Sequence, residues 1–298
     1  AGGQVPQPLR PEEEVRPLMV ALLPFGRTLQ EGTAGRRGAL FRVWLIVVAL
    51  LGAGPLAAAD CRPAGAEGRM ATVAYVNDGD TVRLTSGERV RLVGIDAPEI
   101  GRDGDRDEPF ARESRQALQA FLAGSHNRIE VVPAREHEDR YGRTLAYLYR
   151  PDGASIQGHL LAQGMAMAVF VAPNLVLADC LMARERLARE ADRGIWSLLA
   201  YDPGLPSVRG IPDDVQGAAI VQGPVISVGE SRRNIWINLE GRVAVRIDKA
   251  DRERFPGWDF DALEGERLRV RGWIVHHSNR YQDWFIPVDS AYSLERLD

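Results

Sequence analysis

Short runs of apolar and β-branched residues, broken by turn-forming residues, dominate the chain from Met70 to Val132. Ala71 to Val76 reads as a strand from its β-branched residues, and Thr81 to Leu84 and Arg89 to Ile95 read as strands from their alternation. Asn77-Asp78-Gly79-Asp80 and Ser86-Gly87-Glu88 separate them with residues that tolerate tight-turn dihedrals. The spacing then changes to that of a helix. Pro109 opens it where a missing N–H costs nothing, Ala117, Leu118, Phe121 and Leu122 form its apolar stripe, and Gly124 ends it. Arg128 to Val132 and Leu145 to Tyr149 return to strand spacing. Ser155 to Gln163 and Leu175 to Arg193 read as helices, with Gly164 and Gly194 after their ends. Strands, helix, strands, helices is the order of an α+β domain on an antiparallel sheet.

Tyr201 to Gly217 is rich in Pro, Gly and Asp and reads as a linker. Beyond it the strand pattern resumes at Ala219 to Val228, Ile235 to Leu239, Val243 to Ile247, Arg267 to Val275 and Trp284 to Val288. A helix over Asp251 to Leu263 is expected between the third and fourth of these, against Pro256 and Gly257 within it. Five strands with a helix after the third is the element order of a small OB-type barrel.

Length agrees with this division, since 298 residues is enough for about two domains. The net charge of −4 excludes a binder that works by bulk positive charge, though not an enzyme with a few placed arginines. Two cysteines exclude a four-cysteine zinc site and a disulfide-dense scaffold, and the five histidines form no H-E-x-x-H pair. Val43 to Ala59 carries no charge, follows Arg36, Arg37 and Arg42, and ends in Ala57-Ala58-Ala59. That is the build of a secretory signal peptide, and Gly54 and Pro55 leave it short for a membrane span. Residues 1–59 are therefore expected to be absent from the mature protein, with the signal peptide at about 37–59. Residues 60–200 form the first domain, 201–217 the linker and 218–298 the second domain. A periplasmic or secreted protein without stable membrane insertion is the expectation. Cys61 and Cys180 are then either one disulfide or two thiols, and an oxidising compartment permits the bond.

Three clusters carry chemistry. Asp78-Gly79-Asp80-Thr81 is by itself a common surface turn. Neither it nor Asp103-Gly104-Asp105-Arg106-Asp107 meets the EF-hand pattern, and the second reads as a solvated acidic loop. In Arg91-Leu92-Val93-Gly94-Ile95-Asp96-Ala97-Pro98-Glu99, strand spacing puts Arg91 on the same face as Val93 and Ile95, a costly place for an arginine without a function. Asp139-Arg140-Tyr141-Gly142-Arg143 is a tight turn bearing two guanidinium groups.

In this order the stretches VNDGDTVRL, RLVGIDAPE, DRYGRTLAYLY, LLAQGMA and RGIW resemble the staphylococcal nuclease (thermonuclease) family. The resemblance spans about Ala71 to Ser197 and implies a five-stranded OB-type barrel with three helices. It implies Ca²⁺ held by Asp80, Asp96 and the carbonyl of Ala97, with Asp78 behind them. Glu99 matches the residue that orients or deprotonates the attacking water, and Arg91 and Arg143 match the arginines that hold the phosphate. The implied reaction is hydrolysis of DNA and/or RNA, in which water attacks phosphorus and the 5′-oxygen leaves. One alternative is a catalytically inactive nuclease-like module that binds nucleic acid or protein; another places the main role in the second domain, as a nucleic-acid- or protein-interaction domain. Tyr141 is retained near the substrate. The two tyrosines that pack on the nucleotide in the family are not, since Val169 and Val171 stand in their places, with Phe170 between.

Overall fold

The computed structural model describes residues 61–101, 104–212, 215 and 217–297. The signal-peptide stretch and Asp103 lie outside them. Among the described residues no helix is long and apolar enough to cross a membrane.

The first half builds on strands β1 (Arg69–Val76), β2 (Thr81–Leu84), β3 (Arg89–Leu92) and β4 (Ile95–Asp96). Helix α1 (Ala111–Ala123), β5 (Arg128–Glu138), β6 (Thr144–Tyr149), α2 (Ile156–Ala162), β7 (Met167–Ala168) and α3 (Ala178–Arg189) follow. Strands β1-β2-β3-β6-β5 close into a barrel, and β4 and β7 form a separate two-stranded ribbon. The pair β3–β6 is parallel, with Val90 opposite Thr144 and Arg91 opposite Leu145. Alternation explains the closure: Val82, Leu84, Val90 and Leu92 are buried, as are Ile129 and Val131. The barrel core continues under the helices through Leu118, Leu122, Leu160 and Leu181.

Two helices are shorter than their sequence pattern. Pro109 lies in the turn before α1, because Phe110 takes a left-handed conformation (φ 70°) and Ala111 N–H bonds back to Glu108. Residues 175–177 stay outside α3 in a tight turn, in which Leu175 N–H donates to Pro173. Helix α2 starts as expected, with the Ser155 hydroxyl accepting from Gly158 N–H at 3.1 Å.

Cys61 and Cys180 are joined in a disulfide with Cα atoms 5.6 Å apart. It ties the segment ahead of β1 to α3. Tyr149 Oη donates to the Cys61 carbonyl at 2.6 Å, and Arg62 forms a forked ion pair with Glu130.

In the stretch expected as a linker, residues 200–204 form one wide helical turn and β8 (Leu205–Pro206) pairs in parallel with β9 (Ala218–Glu230). The remaining strands are β10 (Asn234–Leu239), β11 (Val243–Asp248), β12 (Arg267–Trp273), β13 (Val275–His276), β14 (Trp284–Val288) and β15 (Leu294–Leu297). The long strand β9 serves two neighbours: Ala218–Pro224 pairs with β12, and Val225–Glu230 with β10. Here the expected small barrel is an eight-stranded sheet, ordered β13-β14-β11-β10-β9-β12-β15 with β8 beside β9, and its path does not join β12 to β14. The expected helix over 251–263 is also replaced. A 3-10 helix covers Lys249–Arg254, and Phe255, Phe260 and Leu263 are buried as anchors of a non-helical stretch. Pro256 and Gly257 follow that turn, and proline cannot continue the helical hydrogen-bond ladder.

Candidate active site

The site grows from the turn between β1 and β2. Asp78 Oδ1 accepts the N–H of Asp80 at 3.1 Å, which closes the turn on itself. Gly79 is required there, since a Cβ on it would lie 1.9 Å from Ser114 Oγ of α1 and 2.6 Å from Ala97 Cβ. Asp80 is therefore pressed inward and is 1% exposed. Its Oδ2 accepts the Ala97 N–H at 2.8 Å, and its Oδ1 accepts the Thr81 hydroxyl at 3.0 Å.

Gly94, at φ +84°, turns the chain from β3 into β4; it packs where a Cβ would lie 2.8 Å from Leu181. This turn brings Asp96 back toward Arg91. The Arg91 guanidinium lies 2.7 Å from Asp96 Oδ1 and 3.1 Å from Asp80 Oδ2. It also donates to the carbonyls of Leu92 and Ile95 at 2.7 and 2.8 Å. The costly placement seen in the sequence is thus resolved by two carboxylates and two carbonyls.

One guanidinium is little positive charge for this cluster. Burial, together with the charges of Asp80 and Glu99, pushes the Asp78 carboxyl well above the usual carboxylate range. Burial raises Asp96 likewise; Arg91 opposes this, but the charges of Asp80, Glu99 and Glu108 add to the rise. For Arg91, burial opposes ionisation and the surrounding carboxylates more than offset it. Glu99 is exposed, and its backbone N–H donates to Glu108 Oε2 at 2.9 Å.

The donor chemistry fits a hard cation. Asp80 and Asp96 bring carboxylate oxygens, hard donors, from turns distant in sequence to a single guanidinium. Among the described residues no group of three or more His, Cys, Asp or Glu side chains is gathered as a ready-made cage. An ion held here would complete its shell with carbonyl and water oxygens.

Arg143 and Tyr141 sit on the turn between β5 and β6. Asp139 accepts the Arg143 N–H at 3.0 Å and its Nε at 2.7 Å, and the Tyr141 N–H at 2.9 Å. Burial alone would raise the Asp139 carboxyl, but these donors hold it below its ordinary value. Tyr141 is 58% exposed, with the Arg140 and Arg143 guanidinium groups 4.9 and 5.5 Å from its ring centroid. Register places Thr144 opposite Val90, so Arg143 enters β6 beside the strand that carries Arg91.

The positions of the absent tyrosines are not equivalent. Val171 is 44% exposed, whereas Val169 is buried with Ile195 and Trp196. Phe170 is also buried and packs on Tyr292, so it offers no surface ring in their stead.

Two groups near the cluster carry no local signal in the sequence. Glu108 is raised by burial and feels Asp80, while Tyr201, packed edge-on against Trp196, has its hydroxyl raised by burial and by the charges of Glu108 and Asp96. Tyr201 lies in the Pro- and Gly-rich stretch, whose composition marks it as connection and hides its packing.

A closed five-stranded barrel with helices on it, bearing buried carboxylates and a bridging arginine at one turn cluster, has the form of a nuclease-type OB barrel. Residues 89–198 match the family described as Staphylococcal nuclease homologue. A thermonuclease of Staphylococcus intermedius is 32% identical over 127 residues, 42% of this chain and 74% of its own. An uncharacterized endonuclease of Escherichia coli is 32% identical over 128 residues, 42% of this chain and 75% of its own. Endonuclease YncB of Bacillus subtilis is 30% identical over 128 residues, 42% of this chain and 60% of its own. The chain belongs to the staphylococcal nuclease homologue family, and its relatives support a nuclease-type hydrolase with nucleic acid as substrate.

Proposed function

We propose that the chain is an exported, calcium-dependent phosphodiesterase that hydrolyses DNA and/or RNA. The observation that carries this reading is the Arg91 guanidinium spanning Asp80 and Asp96, a buried cluster in which one positive charge faces several carboxylates. Asp80, Asp96 and the Ala97 carbonyl would hold Ca²⁺, with Asp78 behind Asp80. When bound, the ion supplies positive charge to the carboxylates and to the phosphate being attacked. Arg91 and Arg143 present planar, forked donors to phosphate oxygens, on which charge builds as water adds to phosphorus. Asp139 engages Arg143 through Nε and leaves the terminal nitrogens for that task. Glu99, at the exposed edge of the cluster, orients the attacking water and takes its proton. Tyr141 flanks the phosphate beside Arg143. The 5′-oxygen leaves, so products end in 3′-phosphate.

Residues 60–200 are the catalytic domain, 201–217 the connection and 218–298 an OB-like accessory domain. For the last, the pairings of β9 with β10 and β12 and the parallel pair β11–β14 repeat those of β1 with β2 and β5 and of β3–β6. Export draws support from the disulfide, which persists in oxidising compartments, and from the uncharged stretch at 43–59.

The test is hydrolysis of single- and double-stranded DNA and of RNA in Ca²⁺ and in chelator, with end-group analysis of products. Cleavage in Ca²⁺ that chelator abolishes and that Asp96→Asn removes is expected. A wild type that binds nucleic acid without cutting it under any divalent cation would instead leave a binding module.

A further inference from the structure

The C-terminal sheet touches the catalytic domain at the strand that positions Asp96. Ribbon β4–β7 pairs Asp96 with Met167 and Ile95 with Ala168. A two-stranded ribbon of two residues each has little stability of its own. In an antiparallel ribbon alternate pairs turn the N–H and C=O of both residues away from the partner strand. Ile95 and Ala168 are such a pair here, and both groups of Ala168 are taken from outside. Its N–H donates to Glu185 of α3, and its carbonyl accepts from Arg271 Nη1 of β12 at 3.0 Å. The same Arg271 nitrogen lies 2.7 and 2.9 Å from the two Glu185 oxygens. The side chains of Arg271 and Glu185 are 6% and 2% exposed.

An ion pair this deeply buried recovers its desolvation cost only through close geometry, so it is weak as a source of stability and suited to fixing one arrangement. What it fixes is β7. The rest of that segment is held from the same side: Ile220 of β9 packs with Met167 and Val169, and Asp289 accepts the Ala172 N–H at 2.9 Å. Arg269, two residues along β12, makes a comparable set of bonds, to Asp202, Glu295 and the Pro203 carbonyl, without reaching β7.

We infer that Arg271 is a positioning residue for Asp96: with Glu185 it clamps Ala168, and β7 in turn sets where β4 presents the Asp96 carboxylate. The accessory domain is then part of the active-site scaffold. This rests on the nuclease reading, in which Asp96 holds the cation.

The experiment compares Arg271→Gln with Arg269→Gln in the full chain, below the melting temperature of both. Ca²⁺ binding is measured by calorimetry, kcat and KM by hydrolysis, and amide hydrogen exchange at Val169, whose N–H bonds Gly94 at 3.2 Å. Arg271→Gln should weaken Ca²⁺ binding by about tenfold or more, in the range for groups that orient metal ligands. It should also lower kcat and speed exchange at Val169. Arg269→Gln should lower the melting temperature and leave Ca²⁺ affinity and Val169 exchange unchanged. Wild-type Ca²⁺ affinity in Arg271→Gln, or equal losses in both variants, overturns the inference. A wild type that neither binds Ca²⁺ nor cuts nucleic acid defeats the nuclease reading instead, and Val169 exchange in the two variants still decides whether the clamp exists. Should Arg271→Gln not fold, exchange in the wild type decides it. Val169 must then open together with the amides of β12, and opening with the barrel strands alone overturns the clamp.

Discussion

Arg91 Nη2 lies 2.7 Å from Asp96 Oδ1, and the same nitrogen is 3.1 Å from Asp80, so one guanidinium serves as counter-ion to two carboxylates. Removing it strands both charges in a buried pocket. Arg91→Met should therefore lose about 3–5 kcal/mol of stability in chelator, the usual cost of breaking a buried pair from one side. Ca²⁺ should return more of that stability to the variant than it adds to the wild type, because the ion meets the same carboxylates. Hydrolysis should fall by about 10²-fold or more, as when one transition-state donor is lost. Urea unfolding with and without Ca²⁺ checks the first part; a variant as stable as the wild type in chelator contradicts it.

The Cys61–Cys180 bond closes a loop with a sequence separation of 119. In the chain-entropy model a loop of that size is worth up to about 4–5 kcal/mol. The double variant Cys61→Ala/Cys180→Ala should melt well below the wild type while keeping its activity at low temperature, since the bond supplies none of the groups assigned to the reaction. Thermal melts of the oxidised protein, the reduced protein and the double variant should place the last two together. Identical melting of all three would remove the bond from the stability of the fold.

The His159 ring stacks on Phe121 with centroids 3.9 Å apart, and Arg150 lies 5.0 Å from the same Phe121 ring. Burial first, and then the charge of Arg150, hold its pKa below the ordinary 6.5. Between the folded pKa and that value the unfolded chain binds more protons than the folded one. The contribution of His159 is therefore fully present above the unfolded pKa and is lost as pH falls toward the folded one. Against His159→Gln, which does not titrate, the wild type should lose ground steadily as pH drops below about 6.5. Melting curves of both proteins across that range check the sign. A difference that is flat with pH, or a wild-type advantage that grows on acidification, rules it out.

Local signals made most of the strands legible. The alternation in Thr81–Leu84 and Ile235–Leu239 marks which side chains are buried, and the observed strands carry that burial. The Asp78–Asp80 turn and the arginine on the apolar face of β3 were visible for the same reason, since both are statements about neighbours in sequence. What was hidden depends on partners far along the chain. Arg271 and Glu185 are 86 residues apart, and neither stands out locally. Whether Val169 or Val171 faces outward turns on how β7 docks, and Tyr201 sits in a stretch whose composition speaks only of turns. The 251–263 stretch misled because buried Phe255, Phe260 and Leu263 mimic helical spacing while Pro256 and Gly257 prevent the helix.

That difference between Val169 and Val171 divides the two positions at which the family carries nucleotide-packing tyrosines. Val171 is 44% exposed, and Asp289 pins the neighbouring Ala172 N–H, so a ring added at 171 stands on a fixed backbone at the surface. Val169 is 3% exposed and packs with Trp196 and Ile195, so a ring there must displace core side chains. Val171→Tyr should tighten binding of a 3′,5′-bisphosphorylated nucleotide by about tenfold, since stacking on an aromatic ring is worth about 1–3 kcal/mol per base. Val169→Tyr should instead cost about 1–3 kcal/mol of stability by overpacking, with no gain in affinity. Calorimetric titration of the nucleotide in Ca²⁺, beside thermal melts of both variants, separates the two. Unchanged affinity in Val171→Tyr would mean that substrate is captured elsewhere, through Tyr141 and the arginines, and that the missing rings have no consequence for binding.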